Sequence, residues 1–196
     1  MRQAITKIEI LIGAVVLIAA GIVMVPGIAA RGIAEDRERC LANLGLIGKS
    51  MAAYLEDSGD TWPAISKLRS VQIHSPSWPT IPDVLTKYAS GGSELFHCPA
   101  DRRELSKDHA LYKQFGGRTT WFETEGTSYE WLMGDAYAGK KVGQESLASA
   151  KGFGMGRADM PLISEFEPFH EGDGKGSFNT LNADLKPRTA RDEVAR

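Results

Sequence analysis

Histidine and cysteine are the side chains of this sequence best suited to chemistry, and their spacing matches no familiar catalytic site. The histidines are His74, His97, His109 and His170, and the cysteines are Cys40 and Cys98. No histidine pair has the HExxH spacing of a zinc protease, and no GxSxG nucleophile motif occurs. His97 adjoins Cys98, but with only two cysteines a closed zinc site would also need distant histidines. We therefore predict that the chain is not an enzyme.

Two glycine-containing stretches fail as nucleotide-binding loops. "GLIGKS" has the end of a phosphate-binding loop, but Asn43 stands where its first glycine is required, and the segment lies within a helical pattern. "GFGMGR" has Arg157 at the third glycine position of a dinucleotide fingerprint. Neither stretch predicts a nucleotide cofactor.

A late acidic segment offers oxygen ligands for a hard cation. Its acids are Glu165, Glu167, Glu171 and Asp173. Calcium prefers several converging oxygens, and this spacing matches no calcium loop that we can identify. A solvated acidic loop is the favoured interpretation, so we expect no cofactor and keep these four acids as weak calcium candidates.

Composition limits the classes of partner. The chain has 196 residues, of which 42% are hydrophobic and 24% charged, and its formal net charge is −2. A nucleic-acid binder should carry a basic face or stripe, which this balance does not provide. We therefore expect no nucleic-acid partner.

The N-terminal segment is apolar over a length that suits a membrane. No charged residue occurs from Ile10 to Ala30, and such a helix would be about 30 Å long. The run is too long for the core of a cleavable secretory signal. A plain signal anchor and a pilin-type segment, in which a short leader is removed and the helix is kept, both explain its length.

The helical pattern continues beyond the apolar run. After Ala30, apolar residues recur at steps of three and four, with charges between them, as in an amphipathic helix. They include Ile33, Cys40, Leu41, Leu44, Ile47, Met51, Tyr54 and Leu55. The pattern predicts one helix of about 50 residues that ends near Ser58-Gly59-Asp60, with a kink at Pro26-Gly27.

The segment "AITKIEILIGAVVLIAAGIVMVPGIAA" resembles the N-terminal cleavage and methylation segment of type IV pilins and type II secretion pseudopilins. The resemblance implies leader cleavage between Ala4 and Ile5, an assembly glutamate at Glu9, and the family's helix-interrupting proline at Pro26. Ala4 stands where the family has glycine, and Lys7 where it has an apolar residue.

Later motifs resemble a large pseudopilin-like family in their order. The chain has Cys-Leu-x-Asn-Leu from Cys40, Cys-Pro-x-Asp from Cys98, and a closing strand with a preceding histidine. The matching positions are Cys40, Asn43, Tyr54, Cys98, Asp101, His170, Asn179 and Asp184. Leu185 stands where the family's closing glycine would be.

The resemblance gives Glu9 a function in assembly. In the family, the matching glutamate pairs with the new N-terminal amine of a neighbouring subunit, here the amine of Ile5. An acid near a bilayer is usually paired or functional, although Glu9 could instead lie among headgroups beside Lys7. The implied partners are other pilin or pseudopilin subunits, a prepilin peptidase and the bacterial inner membrane.

Flanking charge predicts the orientation. Arg2 and Lys7 lie on the short N-terminal side, which the positive-inside rule places in the cytoplasm, with the C-terminal head in the periplasm. In that oxidising compartment Cys40 and Cys98 would form a disulfide; two unpaired thiols are the alternative.

The predicted fold is α+β, with a long transmembrane-to-amphipathic helix packed on a small antiparallel sheet, as in pilins. The segments are a leader at 1–4, a transmembrane half at 5–30, an amphipathic half at 31–58, a head at 59–186 and a polar, frayed tail at 187–196. Strands are expected in "TSYEWLMG", "PLISEF" and "SFNTLNAD", a short helix at 82–88, and a loop at "RTTWFETEG". The predicted function is that of a pseudopilin-like structural subunit, and the alternative is a membrane-anchored binding domain that does not polymerise.

Overall fold

The computed structural model describes the backbone of residues 7–70, 77–101, 120–143, 156–170 and 178–189, and the side chains among them from residue 32 onward, except residue 136. Among the residues whose side chains are described, no helix is both long enough and apolar enough to span a bilayer. The expected leader lies outside the described residues, as do the side chains of the expected transmembrane half. The predicted kink at Pro26-Gly27 therefore stays a prediction.

Helix α1 spans Lys7–Asp57 and ends beside Gly59, close to the predicted position. Its second half buries one face, because apolar residues at steps of three and four return to the same side of a helix. The fully buried residues of that face include Cys40, Leu44, Ile47 and Met51. The amphipathic half of the helix is therefore the part that packs on the head.

The head contains an antiparallel sheet of four short strands in the order β1-β2-β3-β4. The strands are β1 (Tyr129–Trp131), β2 (Pro161–Glu165), β3 (Asn179–Asn182) and β4 (Pro187–Thr189). The first three fall in the predicted strand segments. Because α1 contacts β3 and β4, the molecule has the α+β architecture of one long helix against a small sheet.

The approach of α1 to the β3–β4 turn is close enough to require glycine. A Cβ atom placed on Gly48 would lie 2.7 Å from the backbone oxygen of Leu185 and 3.0 Å from Cδ1 of Leu181. Leu185 has a φ of 61°, and its N–H donates to the oxygen of Asn182 over 2.8 Å. The tight turn therefore forms with leucine in a left-handed conformation that usually favours glycine.

Short helices complete the head, and one of them corrects the predicted loop at "RTTWFETEG". The segment Trp121–Glu125 forms α3, between α2 (Ile81–Leu85) and α4 (Gly134–Tyr137). The Thr120 side chain accepts a hydrogen bond from the N–H of Glu123, and Gly126 ends the helix with a φ of 77°. A threonine at the start and a glycine at the end are common helix caps, so these local capping residues explain why the segment forms a helix instead of the predicted loop.

The expected polar tail begins as ordered structure. Pro187–Thr189 is β4, which pairs with β3 and lies against α1. The hydrogen bonds of its backbone to β3 hold this polar segment in place. Its side chains do not alternate between polar and apolar, so the sequence did not predict a strand here. The remainder of the predicted tail, residues 190–196, lies outside the described residues.

Candidate functional site: a buried disulfide beside a carboxylate and an imidazole

A disulfide joins the long helix to the head. Cys40 on α1 is bonded to Cys98, which follows a 3₁₀ turn at Gly92–Phe96, and their Cα atoms are 5.0 Å apart. Both cysteines are fully buried. The sequence separation of 58 residues corresponds to a stabilisation of about 4 kcal/mol in the loop-entropy model. The disulfide thus fixes where the head sits on α1.

A carboxylate and an imidazole lie directly against the Cys98 sulfur. Glu165 ends β2 and His170 follows five residues later; Nε2 of His170 is 3.1 Å from Oε1 of Glu165. The sulfur of Cys98 is 3.7 Å from each of these two atoms. Both side chains are fully buried. We call Cys40, Cys98, Glu165 and His170 the sulfur–carboxylate–imidazole cluster.

Asn179 at the start of β3 holds the carboxylate of this cluster in place. Its backbone N–H donates to Oε2 of Glu165 over 2.8 Å, and its side-chain amide donates to Oε1 over 2.9 Å. Because a buried carboxylate needs such donors, the asparagine of the closing strand explains how an acid is tolerated here. The disulfide sulfur carries no proton, so its approach to Oε1 is a contact rather than a hydrogen bond.

The Cys-Pro-x-Asp segment forms a turn whose aspartate organises the neighbouring elements. The N–H of Asp101 donates to the oxygen of Cys98 over 2.9 Å. Its carboxylate accepts from the Ser128 hydroxyl over 2.7 Å and from the N–H groups of Trp121 and Phe122 at the start of α3. Burial raises the pKa of Asp101, although these three hydrogen bonds favour its charged form. The aspartate thus links the disulfide loop to α3 and β1.

Tyr129 shares the face of the sheet on which Glu165 lies. The two residues are directly opposite in the β1–β2 register, so their side chains project to the same side. Burial raises the pKa of the Tyr129 phenol well above its usual value, and the negative charge of Glu165 adds to this effect. The side chains around the cluster are therefore buried, and the Glu165 carboxylate lies among them.

Several motif residues of the resemblance converge on the cluster, and two do not. The Asn43 amide donates to the oxygen of His97 over 2.9 Å, next to Cys98. Tyr54 instead packs edge-on against Tyr88, and Asp184 bonds Arg188 within the β3–β4 hairpin at 2.7 Å. Sequence reasoning treated Glu165 only as a calcium candidate, because an acid five residues before a histidine gives no signal of burial.

The calcium candidates do not form one described site. Glu165 is buried with both carboxylate oxygens bonded to Asn179, so it does not face a solvated loop with its neighbours. Glu167 is only half-buried, and Glu171 and Asp173 lie outside the described residues. A calcium site that uses Glu165 in its present position is therefore disfavoured, and the solvated acidic loop expected for the other three acids stays a prediction.

The assembly residues predicted from the N-terminal resemblance cannot be placed. Ala4 and Ile5 lie outside the described residues, and Glu9, Pro26 and Gly27 belong to the part of α1 whose side chains are not described. Their roles in cleavage, pairing and bending stay predictions.

An open groove lies beside the disulfide, next to residues His97 and Pro99. Its volume is about 930 Å³, and its lining includes Arg39 and Asn43 of α1, His97 of the loop, and Phe122 of α3. The rings of His97 and Phe122 stack at 4.5 Å between centroids. Polar, charged and aromatic groups are therefore available at one surface beside the helix.

Comparison of the chain with protein-family models, with curated proteins and with solved structures found no match.

Proposed function

We propose that this protein is a pseudopilin-like structural subunit that assembles through its N-terminal helix at the bacterial inner membrane. In this proposal residues 5–30 lie in the membrane, the head faces the periplasm, and no catalysis takes place. Lateral packing of the apolar segment joins subunits into a short fibre of a type II secretion-like or type IV pilus-like machine.

The observation that carries the proposal is the division of α1 into two parts. The helix has 51 residues, about 75 Å at the helical rise. Its side chains are described from residue 32 onward, and the fully buried ones among them include Cys40, Leu44, Ile47 and Met51, which pack on the head. The head thus covers the second half of the helix. The first half has the uncharged sequence from Ile10 to Ala30, which is suited to contacts with lipid and with neighbouring helices.

The disulfide supports this division by joining the head to the helix at Cys40, ten residues after the apolar run. A fibre subunit transmits force between its packed helix and its exposed head. A covalent link at this point, together with the close contact at Gly48, keeps the head fixed when the helix is held by its neighbours.

Two measurements test the proposal. The first is the N-terminus of the mature protein from membranes that contain a prepilin peptidase, determined by mass spectrometry. The proposal requires a chain that begins at N-methylated Ile5. A chain that begins at Met1 would favour an anchor, and one that begins near Arg31 would contradict a membrane role for the apolar helix.

The second measurement is the assembly of a Glu9→Ala variant, followed by chemical cross-linking between subunits and by recovery of polymer. We expect polymer to be lost while membrane insertion is kept, because an unpaired amine would remain in a low-dielectric environment. Glu38→Ala is the control, since Glu38 is exposed on the same helix. Equal assembly of the two variants would contradict the pairing of Glu9 with the Ile5 amine.

A membrane-anchored binding domain is the second candidate, and the groove beside Arg39 and His97 favours it. In this case the chain keeps its leader and does not polymerise, and the groove binds a partner. Arg39→Glu would then abolish partner capture by a monomeric chain, whereas a fibre subunit cut at Ile5 would contradict this alternative.

A further inference from the structure

We propose that the sulfur–carboxylate–imidazole cluster is a zinc site in the reduced chain, with the disulfide and the metal as alternative cross-links. The ligands would be Sγ of Cys40 and of Cys98, Nε2 of His170 and Oε1 of Glu165. These four atoms lie within 4.8 Å of one another and all four residues are buried. This proposal does not depend on the assembly function.

Three of the six distances between these atoms already suit a tetrahedral zinc ion. Zinc bond lengths imply separations of about 3.6 Å between a sulfur and a nitrogen or oxygen ligand, and about 3.4 Å between nitrogen and oxygen. The Cys98 sulfur lies 3.7 Å from both Nε2 of His170 and Oε1 of Glu165, and the latter two are 3.1 Å apart. The Cys40 sulfur must move, because two thiolate ligands lie about 3.8 Å apart on zinc.

Two-electron reduction of the disulfide, followed by metal binding, replaces the covalent cross-link by the zinc cross-link. A phosphine or dithiol reductant breaks the sulfur–sulfur bond, supplies two electrons and is itself oxidised, and the two sulfurs take up two protons. Zinc binding then releases these two protons, because the metal binds thiolates. Oxidation of the thiolates by a two-electron oxidant forms the disulfide again and releases the ion.

The ligand set selects zinc over calcium and indicates a structural ion. Two thiolates and an imidazole are soft or borderline ligands, which suit zinc and not hard cations. Four protein ligands leave no open position for a substrate, and the cluster has no exposed side chain. Asn179 already holds Oε2 of Glu165, and such an outer hydrogen bond orients a ligating carboxylate.

Cobalt(II) titration of the purified full-length chain tests this site. The chain is reduced with a phosphine under anaerobic conditions, and cobalt binding is followed by absorption, with zinc added afterwards as a competitor. We expect one equivalent to bind with a thiolate-to-cobalt charge-transfer band and the intense visible bands of four-coordinate cobalt, and zinc to displace it. The oxidised chain should show neither the charge-transfer band nor the visible bands.

Substitution of the two non-sulfur ligands separates this site from binding by the cysteines alone. Glu165→Gln and His170→Gln should weaken cobalt binding by at least about tenfold. Loss of a residue that only hydrogen-bonds a metal ligand already costs about 10–100-fold in metal affinity, so loss of a ligand should cost no less. Their controls are Glu167→Gln and His97→Gln, which change nearby residues outside the cluster and should leave affinity unchanged. Circular dichroism identifies any variant that fails to fold.

The wild-type spectrum decides the proposal even if both ligand variants unfold. A reduced, folded wild-type chain without a charge-transfer band, or with the weak spectrum of six-coordinate cobalt, would overturn it. Folded ligand variants that bind as tightly as the controls would overturn it as well.

Discussion

Replacement of Gly48 by alanine should destabilise the protein, although the same change usually stabilises a helix. Gly48 lies in the middle of α1, where the added methyl group meets the backbone oxygen of Leu185 at 2.7 Å. A backbone atom in a tight turn cannot move aside as the end of a flexible side chain can. The β3–β4 hairpin must therefore shift away from the helix.

The magnitude follows from two opposing terms. Alanine in place of glycine in a helix interior is favourable by about 1 kcal/mol. Overpacking of a close contact costs about 1–3 kcal/mol. Gly45→Ala is the matched variant, since its new Cβ would lie 3.7 Å from Cγ of Pro187, an ordinary contact. Because both variants share the helix term, Gly48→Ala should be less stable than Gly45→Ala by about 1–3 kcal/mol.

Urea unfolding followed by tryptophan fluorescence measures this difference, because Trp62 and Trp131 are almost fully buried. We expect the midpoint of Gly45→Ala to lie at or above that of the wild type and the midpoint of Gly48→Ala to lie below it. Equal midpoints for the two variants would refute the close packing of α1 on the hairpin.

Two further predictions concern Asp101, which is buried, and Asp83, which lies in the first turn of α2. Asp101→Asn should lower the free energy of unfolding by about 1–3 kcal/mol at neutral pH. The substitution replaces one carboxylate oxygen, which accepts hydrogen bonds from Ser128 and from α3, by an amide NH₂ group that cannot accept them. An unchanged urea midpoint would contradict the linking role of this residue. For Asp83, burial acts to raise the pKa, but hydrogen bonds from Thr80 and the charge of Arg69 outweigh it and hold the pKa below the usual value. Its stabilisation is therefore present above the unfolded pKa of about 4 and is lost as the pH falls through the lower folded value, so the stability gap between wild type and Asp83→Asn should narrow in acid. A gap that widened in acid unfolding titrations would reverse the assigned sign.

Elements with a strong local pattern could be predicted from the sequence. The steps of three and four from Cys40 to Leu55 predicted the buried face of α1, and Gly59 marked its end. Alternation at Tyr129 and Trp131 predicted β1. In each case the periodic pattern involves residues within one or two turns of helix, or within one strand, so the information is local.

Segments decided by distant partners were predicted less well. The sequence at 187–189 has no alternation, and it becomes β4 only because β3 supplies its hydrogen bonds. Glu165 was expected in a solvated acidic loop, yet it is buried because Asn179 and His170 satisfy its carboxylate. Leu185 lacks the conformational freedom of glycine, but the hairpin and its contact with α1 hold it at a positive φ.

The sequence by itself determined a long helix with an amphipathic second half, the positions of three strands, and two cysteines as candidates for one bond. The tertiary structure decided that Glu165 and His170 lie against that bond. The physical reason is distance along the chain: Cys40, Cys98 and His170 are brought together only when α1, the 98–101 turn and the β2–β3 register are all fixed. The chemistry of the cluster is therefore a property of the fold.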